Sequence, residues 1–154
     1  MGIVRKSTLP PDAHLWTHHS PGDFIDCYSC DSPLFAQEAA QVAMQMPGWA
    51  DALMRLRNTL VAPLGLRTEL SGADSALFPI TYEAPDELNL GLDDSHLNFR
   101  ITIYRQEGRI YMATWVHPNK WLGHVYLAAV MPFHILISRN AVRQIAQASQ
   151  PKAA

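Results

Sequence analysis

A chain of 154 residues suits one compact domain rather than two. Apolar residues at 48% and charged residues at 17% give it a core to bury and exclude a disordered chain. A formal net charge of -2 without a basic stripe excludes the counterion-release chemistry of nucleic-acid binding, so no nucleic-acid partner is expected.

Residues 1–22 carry prolines, glycines and three histidines, His14, His18 and His19, with neither helical nor strand period, and read as an irregular N-terminal arm. No apolar run follows the early basic residues, and Lys6 stands where a myristoylation motif wants Ser or Thr, so a cytoplasmic location is expected. No carboxylate or thiol completes a ligand set for the histidines, and no metal or cofactor is expected. A single domain then occupies residues 23–148, with 149–154 as a disordered tail.

Phe24 to Cys30 reads as the first strand. Its Cys27 and Cys30 have the spacing of a redox or zinc motif, but side chains three apart on a strand point to opposite faces, so buried thiols are expected. Ser32 and Pro33 start a helix that runs to Pro47, Ser32 as N-cap and Pro33 in the first turn. A second helix begins at Gly48 or Trp49, where Trp49, Leu53, Leu56 and Leu60 form one stripe.

From Phe78 to His117 the period becomes two. A Glu107-Gly108 loop sets Ile103 opposite Met112, Ile101 opposite Thr114 and Phe99 opposite Val116. An Asp94-Ser95 loop sets Leu92 against Leu97, Leu90 against Phe99 and Leu88 against Ile101. A three-residue loop, Ala84-Pro85-Asp86, brings Phe78, Ile80 and Tyr82 to the same apolar side. The other face carries His96, Asn98, Arg100, Thr102 and Tyr104 beside Tyr111, Trp115 and His117. It reads either as a solvated face or as a homodimer surface with Arg100, Tyr111 and Trp115 at its centre.

Trp121 to Ser138 is eighteen residues without a formal charge. His124, Pro132 and His134 within it, and the polar continuation after Ser138, argue for a helix buried on the apolar sheet face rather than a membrane span. Pro132 should kink it near Ala128. A cavity lined by Leu90, Phe99, Ile101, Trp121, His124, Ala128, Met131 and His134 is expected there, open to a small hydrophobic ligand. His134 or His124 as general base with Tyr126 as donor is the alternative, enzymatic reading, of a cyclase, dehydratase or hydrolase kind, and a protein-interaction module is a third.

The order strand, two helices, antiparallel meander, long C-terminal helix resembles the helix-grip fold of START-like and polyketide-cyclase-like proteins, an α+β sheet curved around its last helix. The segments "WADALMRLRNTL", "SHLNFRITIY" and "GHVYLAAVMPFHILI" resemble a bacterial domain-of-unknown-function family that is also found fused behind epimerase-like short-chain dehydrogenases. That resemblance spans about Phe24 to Val142 and implies a fold and a pocket, without assigning an activity or catalytic residues.

Overall fold

The computed structural model describes residues 3–43, 80–93 and 97–149, with only the backbone of Leu92, Leu97, Leu122, Tyr126 and Val130. The expected second helix, Phe78, His96 and most of the expected tail lie outside the described residues.

The described elements are β1 (Arg5–Lys6), a short 3-10 helix (His14–Thr17), β2 (Phe24–Asp31), α1 (Ala36–Ala43), β3 (Ile80–Ala84), β4 (Glu87–Asp93), β5 (Leu97–Gln106), β6 (Arg109–Pro118) and α2 (Trp121–Ala148). The strands form one antiparallel six-stranded sheet in the order β1-β2-β6-β5-β4-β3, so the fold is α+β with a meander closed by the first long strand.

The β5–β6 register is the one the loop residues predict. Phe99 faces Val116, Ile101 faces Thr114 and Ile103 faces Met112. Its turn has positive φ at both Glu107 (51°) and Gly108 (73°), the backbone whose twist matches that of paired strands.

The β4–β5 register differs from expectation by two residues. Leu88 faces Ile103, Leu90 faces Ile101 and Leu92 faces Phe99, because four residues rather than two separate the last pair, Asp93 and Asn98. A slip of two conserves the side on which every residue lies, so the apolar face survives the correction.

At β3–β4 the expected three-residue loop is wrong. Ala84 pairs with Glu87 across a two-residue turn, which sends Tyr82 to the polar face opposite Asn89. A bulge between Ile80 and Tyr82 then returns Ile80 opposite Leu90.

One sheet face packs under the helices, α1 over β4 and β5 and α2 over β2 and β6. Ile103, Ile110, Val142 and Ile145 are fully buried there, with Tyr28, Cys30, Leu88, Met112 and the alanines of α1 around them. Alanine at 36, 39, 40 and 43 lets α1 lie close to the sheet. Ser32 does not cap α1, which starts later. Its hydroxyl accepts the Leu34 N–H (3.1 Å) and bonds Ser149 (2.6 Å), tying the end of α2 to the end of β2.

The other face is covered by the N-terminal arm. Leu9, Ala13 and Leu15 are buried against Cys27, Tyr104, Ala113 and Trp115. Glu87, itself 4% exposed, accepts the N–H groups of His14 (2.6 Å) and Leu15 (3.1 Å) and the Thr102 hydroxyl (3.1 Å). These two N–H groups open the 3-10 helix and have no partner within it, so the carboxylate takes the place of a cap. Trp115 is 4% exposed, and the face expected as a homodimer surface is occupied by the chain's own arm.

Candidate functional site

Two cross-strand rows run over the helix-facing side. One is Ile80, Leu90, Ile101, Thr114 and Asp26; the next holds Leu92, Phe99, Val116 and Phe24. Leu90, Phe99 and Ile101 therefore stand together as expected, Leu90 buried and the other two partly exposed. The first row ends on a carboxylate.

Asp26 sits between Phe24 and Tyr28 on the alternation of β2, an acid on a face that is apolar apart from its cross-strand neighbour Thr114. His134 of α2 reaches it, its Nε2–H donating to Oδ2 at 2.8 Å, with side-chain exposures of 19% for His134 and 9% for Asp26. Asp26 Oδ1 is buried and has no hydrogen-bond partner among the described residues. Ser138, one turn on, places its hydroxyl 3.4 Å from Nδ1. With the hydrogen on Nε2, Nδ1 is the lone-pair side of the ring. Phe24 meets the His134 ring edge-on at 6.0 Å between centroids. Burial, and then the charge of Asp26, push the Tyr28 phenol up from its ordinary value.

Asp26 and Ser138 were not singled out in the sequence. The signals were present: an acid at a core position of "FIDCYSC", and a serine four residues after a helical histidine, on the same face.

The other expected lining residues do not gather at this point. α2 bends by 60° between Gly123–Ala129 and Met131–Ala148, within the turn that precedes Pro132, whose ring conflicts with the carbonyl of Ala128. Its leading half is consequently not the buried helix expected. Trp121 is 72% exposed and Val125 45%, while His124 and Ala128 are exposed too. Met131, beyond the bend, is partly buried one turn before His134. The Tyr126 side chain lies outside the described residues. No single helix among the described residues is long and apolar enough to cross a membrane; the two parts of α2 reach that threshold only together, across the bend.

A second polar cluster lies beneath the arm. Asp23 accepts from Trp115 Nε1 (2.9 Å) and the Ser20 N–H (2.9 Å) and pairs with His117 Nδ1 (2.5 Å). Burial raises the Asp23 carboxyl, but these hydrogen bonds outweigh it and leave the group below its ordinary value. His14 stacks on Tyr82 at 3.7 Å, and His18 tilts against Trp115 at 5.4 Å. Burial, followed by the neighbouring Arg100, depresses the His18 imidazole. Arg100 itself pairs with Asp93 at 2.8 Å.

Cys27 and Cys30 are both free and buried, one in the cluster under the arm and the other in that under the helices. Burial pushes their thiols up to about 12 and about 11.

The class thus defined is an α+β domain with a histidine–carboxylate pair at the end of an apolar row. Residues 20–141 match the family described as "Protein of unknown function (DUF2867)", and the chain belongs to that family. No curated protein and no solved structure matches the chain.

Proposed function

We propose that the protein binds a small, mostly apolar molecule on the helix-facing side of the sheet, with the ligand's polar group at His134. The observation that carries this reading is the His134–Asp26 pair at 2.8 Å on a mostly apolar surface, with the partly exposed Phe99 and Ile101 on the rows that lead to it. Braced by a buried carboxylate, His134 presents a fixed polar point beside apolar walls. A guest covering roughly 300 Å² of apolar surface at ~25 cal/mol per Å² gains enough, after the costs of association, for micromolar binding. The helix-grip, START-like assignment accords with this placement of ligand between sheet and last helix. Two free buried thiols accord with a reducing, cytoplasmic setting.

The same pair favours a second reading, an enzyme of the cyclase, dehydratase or hydrolase kind. Asp26 would hold the ring while Nδ1, now facing Ser138, takes a proton from substrate. Ser138 is 5% exposed within a helix, so it positions the ring and is not a nucleophile.

Native mass spectrometry of gently purified protein tests both readings. Extra mass in the natural chain that is lost in His134→Ala, with the fold retained, supports the site. Equal extra mass in both chains removes His134 from it. Conversion of the extracted molecule by the natural chain alone selects the enzyme.

A further inference from the structure

What the His134–Asp26 pair leaves open is of one chemical kind. A carboxylate only accepts, so the 2.8 Å contact to Oδ2 puts the ring hydrogen on Nε2. The second oxygen, Oδ1, is buried and has no hydrogen-bond partner among the described residues. The other ring nitrogen, Nδ1, faces the Ser138 hydroxyl at the long distance of 3.4 Å. Both positions are acceptors. A buried carboxylate oxygen without a donor is costly, and a group that arrives beside it with an O–H or N–H relieves that cost. Asp26, Phe24 and His134 are each partly exposed as residues, like Phe99 and Ile101 on the neighbouring strands, so a guest on this face has the carboxylate within reach of its polar end.

We infer that the polar end of the ligand is a hydroxyl, donated to Asp26 Oδ1, and that carboxylic acids of the same shape are turned away. The inference rests on the binding site proposed above and names the class of molecule it takes: an apolar alcohol. A carboxylate brings lone pairs and negative charge to a place that already holds both, so it finds no donor and meets Asp26 with like charge. A ketone brings lone pairs alone and leaves Oδ1 as it was. An ammonium brings three donors and a full charge to two open acceptors, which leaves one N–H unpaired away from water. A hydroxyl brings one donor, and Thr114, the buried cross-strand neighbour of Asp26, is the position in the row with a hydroxyl to meet the guest's own oxygen.

The alcohol gains a hydrogen bond to a charged acceptor and the ketone gains none, a difference of about tenfold or more in affinity. Discrimination of this kind belongs to sites that pair a buried polar group with the substrate's O–H, and apolar walls alone do not provide it.

Equilibrium dialysis against four naphthalenes of nearly one shape tests this: naphthylmethanol, with a hydroxyl; acetylnaphthalene, neutral and acceptor-only; naphthoate, an anion; and naphthylmethylamine, a cation. The natural chain is expected to hold naphthylmethanol about tenfold or more tighter than acetylnaphthalene and naphthoate, and tighter than the amine. In Asp26→Asn the oxygen keeps the His134 N–H and the amide nitrogen takes the open position, so an acceptor becomes a donor. The affinities for alcohol, ketone and acid should then close to within about twofold, with naphthoate gaining most. The order in the natural chain decides the matter even if Asp26→Asn does not fold. Equal affinities, or naphthoate held first, with all binding lost in a folded His134→Ala, overturn the hydroxyl and leave the site standing. Naphthylmethylamine held first makes the guest a cation and overturns it as well. An unchanged order in folded Asp26→Asn places the acceptor elsewhere and overturns it too. No binding of any of the four, or binding indifferent to His134→Ala, sinks the proposed site and the inference with it.

Discussion

Glu87 is a buried carboxylate whose oxygens receive two backbone N–H groups and a hydroxyl from two different parts of the chain. Removing it leaves those donors in a buried place without an acceptor. Glu87→Ala should therefore cost roughly 2–4 kcal/mol, and Glu87→Gln less, since one oxygen is kept. Urea unfolding measures both, and equal, negligible losses would deny the capping role. Cys27 and Cys30 make the opposite kind of prediction. With thiols pushed up to about 12 and about 11, neither forms thiolate near neutrality, so native protein at pH 8 should leave Ellman's reagent unreacted for hours. Both thiols should react at once in denaturant. Fast reaction in the native state would mean that the faces holding them open readily.

Among the elements, the β5–β6 hairpin was the most legible in sequence, because two turn residues and two alternating strands agree on one register. The turn still carries strain, since Glu107 adopts a φ of 51° that suits Asn or Gly better. Glu107→Asn should raise stability by about 0.5–1 kcal/mol, read as a higher urea midpoint at unchanged slope. The β4–β5 and β3–β4 connections misled for a physical reason. A longer loop or a bulge alters pairing without altering the alternation, so periodicity reads the face correctly and the partner wrongly. The bend in α2 was visible as Pro132; that it would leave Trp121 in solvent was not, because hydrophobicity marks what prefers burial and not what covers it. His134 was likewise legible, whereas its partner Asp26, 108 residues away in sequence, depends on how β2 returns beside β6. Ile103 is fully buried where sheet and helices meet, and Ile103→Ala should cost 2–5 kcal/mol by calorimetry or urea, about what a core cavity costs.

At the scale of the molecule, a single sheet is covered on one side by helices and on the other by an arm that sequence alone marks as irregular. The arm is docked through groups that titrate. His18 is held below its ordinary value by burial and Arg100, so the docked arm binds fewer protons than the free arm, and docking weakens as pH falls through about 6.5. Asp23 is also held low; its contribution is present above the ordinary carboxyl value and is lost as pH falls through its lower folded value. Between pH 7.5 and pH 5 only the His18 part acts, so thermal stability should drop over that range and His18→Gln should flatten the drop, while the Asp23 part is lost only below the ordinary carboxyl value of 3.8. An identical slope in the variant would exclude His18 as its source. The central claim, a ligand site whose polar end is His134, is tested most directly on the imidazole itself. With selectively labelled histidine, the ring nitrogen and carbon resonances of His134 can be followed while the molecule extracted from the protein, or 1-anilinonaphthalene-8-sulfonate, is added. The account predicts that the His134 ring shifts in step with binding and more than His14, His18 and His117 under the arm. Saturating binding that leaves the His134 resonances in place while those under the arm move would contradict it.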